Sequence, residues 1–148
     1  MKTIKYLIVL GLILPFITGC GLSGFTEPKD DAESTMAEVF ELIQLRDYES
    51  TLNYYSQTFF GAVSEDEWIG LLEHVNEKLG DLESYELLNW NVEKKTGPAT
   101  GTYVQLVYRT QYSRYEAQEE IVFQKEVRGP DLKIVGHHIK SKGFLKDW

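Results

Sequence analysis

Ser64-Glu-Asp-Glu-Trp-Ile-Gly-Leu-Leu-Glu-His-Val-Asn-Glu-Lys-Leu-Gly80, followed by Asp-Leu-Glu-Ser-Tyr-Glu-Leu-Leu-Asn-Trp-Asn-Val92, is where the period of the chain changes. Ser64 and Glu67 have the spacing of a capping box, in which the serine accepts from the third helical N–H and the glutamate reaches back. Trp68, Leu71, Leu72, Val75 and Leu79 then recur at helical spacing and form the strongest apolar stripe in the chain. Gly80 supplies the stop. From Leu82 onward the period is two: Leu88, Trp90 and Val92 alternate with Asn89, Asn91 and Glu93.

Before this junction, Thr35-Met-Ala-Glu38 has capping-box spacing, and Met36, Val39, Phe40 and Ile43 follow at helical intervals. Asp47 can cap a further turn carrying Tyr48, Leu52 and Tyr55. After it, Thr96-Gly-Pro-Ala-Thr-Gly101 turns the chain. Val104, Leu106 and Tyr108 alternate with Gln105 and Arg109, then Ile121, Phe123 and Val127 with Gln124 and Glu126. Arg128-Gly-Pro-Asp131 is another turn, and Leu132 to Ile139 closes the series. The pattern predicts an α+β domain, with N-terminal helices packed on a curved four-stranded antiparallel sheet.

The chain has 148 residues, 43% hydrophobic and 26% charged, which excludes a disordered or collagenous chain and gives length for one domain. Met1 to Cys20 has the parts of a secretory signal: Lys2 and Lys5, an apolar run from Tyr6 to Ile17, and small residues at its end. That run is short of the roughly 20 residues a spanning helix needs. Ile17-Thr18-Gly19-Cys20 resembles the bacterial lipobox. The resemblance implies a signal peptide over 1–19, a diacylglyceryl thioether on Cys20, cleavage before it and acylation of the new amino group. Two or three acyl chains hold a protein on a membrane, where one holds it marginally. Gly21 through Asp31, with glycine, serine and proline and no period, reads as a flexible tether, so the folded domain is expected over 32–148. Gly21 is not aspartate, so the resemblance implies an outer-membrane protein facing the periplasm in a Gram-negative source, and a cell-membrane protein otherwise.

Removing Lys2 and Lys5 from the 15 basic residues leaves 13 against 23 acids, a charge of −10. Such a surface repels phosphate backbones, so no nucleic-acid partner is expected. The lone cysteine excludes an intramolecular disulfide and a thiolate cluster. His74 and Glu77 share a helix face three residues apart, but no second histidine follows at helical spacing, so no metal site is expected. His137 and His138 are strand neighbours and point to opposite faces; one of them belongs to the concave side, and His138 is taken as the candidate. No glycine-rich phosphate loop and no Gly-x-Ser-x-Gly elbow occurs, so no cofactor is expected and binding is favoured over covalent chemistry.

The run from Asp47-Tyr48 through Phe59-Phe60, then Ser64 to Trp68 and Leu71-Leu72, ending on Ile134-Val135-Gly136-His137-His138-Ile139, is similar to an uncharacterised family of bacterial exported domains. That family is identified as a member of the nuclear transport factor two-like, or cystatin-like cone, superfamily. The chain departs from its pattern at Leu132-Lys133 and His137-His138, where aromatics are usual. The superfamily includes enzymes, ligand binders and association modules, so the resemblance implies a cone without choosing its use. If the cone holds a small ligand, Tyr55, Trp68, Tyr108 and His138 are the expected contacts. If a face docks a homodimer mate or an envelope partner, Arg109, Tyr112, Arg114 and Tyr115 are expected there, since tyrosine and arginine are favoured interface anchors. The expectation is a lipid-anchored envelope protein acting as a binding or association module; the alternative is a small-ligand binder or cone enzyme.

Overall fold

A computed structural model describes residues 23–125 and 131–145, with side chains from residue 26. The order is α1 (Ser23–Gln44), α2 (Tyr48–Thr51), a 3-10 turn (Leu52–Tyr54), α3 (Gln57–Phe60) and α4 (Glu65–Leu79). Then come β1 (Leu82–Lys95), β2 (Gly101–Tyr112), β3 (Glu116–Lys125), β4 (Leu132–Ser141) and a final 3-10 turn (Lys142–Leu145). The strands form one antiparallel sheet in the order β1-β2-β3-β4. The molecule is thus of the α+β class, with its helices before its sheet.

The Ser64–Glu67 capping box is formed in full, and α4 buries Trp68, Leu72, Val75 and Leu79. Leu71 sits at the margin of that stripe, 42% exposed. Asp47 caps α2 by accepting from the Ser50 N–H at 3.2 Å. Gly80 ends α4 with φ +90°. A Cβ there would lie 2.0 Å from the Ser113 hydroxyl oxygen.

The start of α1 differs from the sequence reading. Gly21 to Asp31 was expected as a tether, yet the chain is helical from Ser23. Thr35 does not cap; its hydroxyl donates to the Asp31 carbonyl one turn back, at 2.9 Å. Capping-box spacing also occurs inside helices, where the same hydroxyl finds the i−4 carbonyl. Pro28 lies inside α1, and Lys29 pairs with Glu33 across the next turn. The helix enters the core at Ala32 and continues through Met36, Val39, Phe40 and Ile43. Cys20, the signal segment, Val127 and the residues Arg128 to Pro130 of the expected turn lie outside the described residues.

Alternate residues of β2 and β3 line the inner face: Val104, Leu106 and Tyr108 from the one, Ala117, Ile121 and Phe123 from the other. The edge strands break that alternation. β1 has irregularities between Leu82 and Ser84 and between Leu87 and Asn89, and β4 has one opposite Val122 and Phe123. The last sets the geometry of the site.

Candidate functional site

Alternation from the buried Ile134 would carry Gly136 and His138 inward. Instead Phe123 pairs with Ile134 and Val122 with Gly136, which leaves Val135 over and shifts the phase by one residue. His137 is therefore the inward histidine, its side chain fully buried, and His138 is exposed opposite Glu120. The histidine that enters the core is thus His137, while His138 borders only a hollow outside it, together with Trp68.

His137 lies within a polar network in the core. Its Nδ1 is 2.9 Å from the Tyr55 hydroxyl and its Nε2 is 2.8 Å from Glu119 Oε2. The other carboxylate oxygen accepts from the Thr110 hydroxyl at 2.9 Å and the Tyr112 hydroxyl at 2.8 Å. Burial pushes the Tyr55 and Tyr112 phenols far above their ordinary range; the Glu119 charge adds to the effect on both. Both therefore stay protonated and donate. This assigns the histidine tautomer from the network: Tyr55 O–H donates to Nδ1, and Nε2–H donates to the carboxylate. The Trp68 indole N–H sits beside the Tyr55 oxygen and slightly favours its anion, without an aligned hydrogen bond.

Aromatic rings close this network on the helical side. Trp68 lies with ring centroids 5.3 Å from Tyr55 and 5.2 Å from His137, and Phe59 packs 4.6 Å from Tyr55. The network joins α4 and the α2–α3 segment to the sheet. A hollow of about 390 Å³ lies outside it between α4 and β4, lined by Trp68, Leu71, His74, His137, His138 and Phe144 among others.

Two expected contacts, Tyr55 and Trp68, thus meet at one place. Tyr108 belongs to a second cluster, edge-on to Phe40 at 5.1 Å beneath α1, beside a shallow groove shared with Tyr85. The four expected interface residues do not share a surface. Arg109 is exposed and pairs with Glu86 at 3.1 Å. Tyr112 is buried on Glu119. The Arg114 guanidinium donates to the Asn76 and Glu77 carbonyls at the end of α4, and Tyr115 is half-buried against the core. The β2–β3 hairpin is tucked under α4, with Ser113 N–H on the Asp81 carbonyl and Arg114 N–H on that of Leu79. That packing commits the hairpin backbone and the Arg114 guanidinium to α4, although Ser113 and Arg114 stay exposed.

Glu119 and Thr110 were not singled out from sequence, although a signal existed. Glu119 falls on the inward phase set by Ile121 and Phe123, and Thr110 on that of Leu106, Tyr108 and Tyr112. A carboxylate on a core phase calls for donors nearby. His74 is 3.8 Å from Glu77, and no group of three metal-ligating side chains is found among the described residues. No described helix is long and apolar enough to cross a membrane.

The uncovered part of the inner face lies on β1. Trp90 pairs with Leu106 and Val92 with Val104, so both belong to the core face, yet Trp90 is 44% exposed and the neighbouring Leu88 43%. No described element buries that end of the strand. No curated protein and no solved structure matches the chain. Residues 35–137 do match a family, and the match runs from within α1, through Tyr55, Trp68 and Glu119, to His137 itself; the chain belongs to the family described as protein of unknown function (DUF4019).

Proposed function

We propose that the protein is a lipid-anchored envelope protein that works as an association module, docking a partner through the open end of β1. The observation that carries the reading is a contrast along the inner face of the sheet. At His137 and Glu119 the side chains are wholly enclosed, which supports a structural role for them. Further along β1, beyond the reach of α1, Leu88 and Trp90 are 43% and 44% exposed on a 14-residue edge strand. An edge strand presents unpaired backbone groups, and an exposed tryptophan is a typical interface anchor.

The anchor is the lipobox reading of Cys20, which places the chain at the outer membrane of a Gram-negative source or at the cell membrane otherwise. It is supported by the sequence of the signal. With cleavage before Cys20, the part of α1 from Ser23 to Asp31 precedes the core and forms a helical spacer of about 13 Å. We also place the fold in the cystatin-like cone superfamily; the long first helix, the later helices and the four-stranded meander support this. A second reading, a small apolar ligand, is favoured by the hollow beside Trp68 and Phe144.

The test is a photo-reactive amino acid placed at Trp90, or at Leu71 in the hollow, in the full chain in native membranes. Protein adducts are expected from position 90. Adducts absent there, with a small molecule held at position 71, would replace the association reading by the second one. Cys20→Ser is expected to lose the acyl mass and leave the membrane fraction. An unchanged mass and location would remove the anchor.

A further inference from the structure

We propose that the partner is a second copy of this chain, joined by antiparallel pairing of the two β1 strands over Asn89–Lys95 about a two-fold axis at Val92. This names the partner for the docking strand above and rests on that reading.

The first argument is regularity. β1 is irregular between Leu82 and Ser84 and between Leu87 and Asn89, and bulges turn an edge away from further pairing. From Asn89 to Lys95 its register against Val107 to Gly101 is unbroken. The opposite edge of the sheet is partly occupied: Tyr55 bridges to Ile134, and the Ser56 N–H donates to the Ile134 carbonyl at 2.9 Å. Among the described residues, the second half of β1 is the longer regular stretch of edge not paired to another element. Its Trp90 N–H is held by the neighbouring Asn89 Oδ1 at 2.9 Å, a local contact that pairing would exchange for a backbone carbonyl of the mate.

The second argument is self-complementarity, which a two-fold contact requires. An axis at Val92 sets Val92 against itself, Trp90 against Lys94, Asn91 against Glu93 and Asn89 against Lys95. Every pair keeps to one face, since Trp90, Val92 and Lys94 lie over Leu106, Val104 and Thr102, and the others lie on the outer side. No like charges stand directly opposite one another. Lys94 over Trp90 is a cation–π pair, Asn91 and Glu93 can hydrogen-bond, and the two valines form a β-branched pair on the axis. An axis at Glu93 or Lys94 would set that residue's charge against its own copy. An axis at Asn91 or earlier runs into the irregularity at Leu88. The charge pattern and the bulge together select Val92.

The pairing closes on itself. It uses the same edge of each copy and leaves the β4 edges outermost, so it yields a dimer and not a fibre. It also brings Trp90 of one copy diagonally beside Val92 of the other, which covers part of the exposed apolar face.

The test is cysteine cross-linking of the full chain in native membranes under mild oxidation, with the wild-type chain as control. Val92→Cys is expected to give a disulfide homodimer, because directly opposed Cβ atoms in paired strands stand about 4.5–5.5 Å apart. Asn89→Cys and Lys95→Cys are each expected not to link alone, since like positions would lie about 20 Å apart. Co-expressed, they are expected to link to one another, at least tenfold above either alone. Val92→Lys sets two ammonium groups on the axis and is expected to reduce the dimer at least tenfold, with an unchanged circular dichroism spectrum. Homodimers in another register, or none from any of these positions while the probe at Trp90 captures a different envelope protein, would overturn self-pairing and leave the association reading standing. With no protein adduct from β1 at all, both would fall.

Discussion

His137 shows what a single inserted residue does to a sequence reading. Two adjacent histidines in a strand must face opposite ways, and that much was legible. Which one faces inward depends on Val135 being left over opposite Val122 and Phe123, and no local signal marks that position. The shift carries an imidazole to Glu119, and the carboxylate takes three donors, from His137, Thr110 and Tyr112. A buried charge of this kind is tolerable when every acceptor site is partnered, and removing one member leaves the others stranded. Glu119→Ala is expected to cost about 3–5 kcal/mol, because His137, Thr110 and Tyr112 lose their acceptor in a closed core. His138→Gln, on the exposed neighbour, is expected to stay within about 0.5 kcal/mol of the wild type. Urea unfolding at neutral pH measures both. Equal midpoints for the two variants would mean that the network contributes nothing to holding the helices on the sheet.

The ends of the elements were legible where side chain and backbone signals coincide, as at Ser64–Glu67 and Gly80. They are harder to place where one signal stands alone, as at Thr35, because Gly24 and Pro28 inside α1 imitate a loop. α1 ends through the Arg46 N–H on the Ile43 carbonyl and the Asp47 N–H on that of Leu42, with Arg46 at φ +59° in a place where glycine is usual. The same Arg46 binds Asp81 at 2.5 Å, and the Asn76 amide binds Asp81 at 2.9 Å. The Asn76 hydrogen bond, followed by that of Arg46, holds the Asp81 carboxyl below its ordinary range. The ends of α1 and α4, the start of β1 and the β2–β3 hairpin therefore converge within a few residues of Gly80. Gly80→Ala is expected to cost about 1–3 kcal/mol: it takes on a φ of +90°, and its methyl group meets a Ser113 hydroxyl already engaged by the Asp81 N–H. Gly70, exposed in the middle of α4 with nothing within 4 Å of an added Cβ, provides the opposite sign. Gly70→Ala is expected to stabilise the protein by about 0.4–1 kcal/mol through helix propensity and a less flexible unfolded chain. Thermal unfolding of the two variants checks the pair, and a stabilising Gly80→Ala would refute the junction as described.

For the whole molecule, the order of helices and then a four-stranded meander could be read directly, because the β1–β2 connection is short and rich in turn residues. How far the helices cover the sheet could not be read, since that depends on strand length and on the two irregularities of β1. The result is a core spread along the inner face, with tyrosines at several points of it: Tyr55 under α3, Tyr108 under α1 and Tyr112 beneath the hairpin. Burial raises the pKa of all three, and Glu119 adds to the effect on Tyr55 and Tyr112. In the unfolded chain a tyrosine ionises near 10. A group whose folded pKa lies above its unfolded one contributes stability that is complete below the unfolded value and is lost as pH rises beyond it. Stability is therefore expected to be indifferent to these residues between neutrality and about pH 10. Above that it falls, each tyrosine adding up to about 1.4 kcal/mol per pH unit. Because the three sit in different parts of one core, their phenolates should appear together with the loss of structure. Ultraviolet titration of tyrosinate, run alongside circular dichroism, is expected to show a cooperative step in both signals at the same pH. Tyr112→Phe is expected to make the alkaline fall shallower while lowering stability at neutral pH, where its hydrogen bond to Glu119 is lost. Smooth ionisation of every tyrosine with the ellipticity intact would show that these phenols reach solvent in the folded protein, and the closed core around Glu119 could not then be maintained.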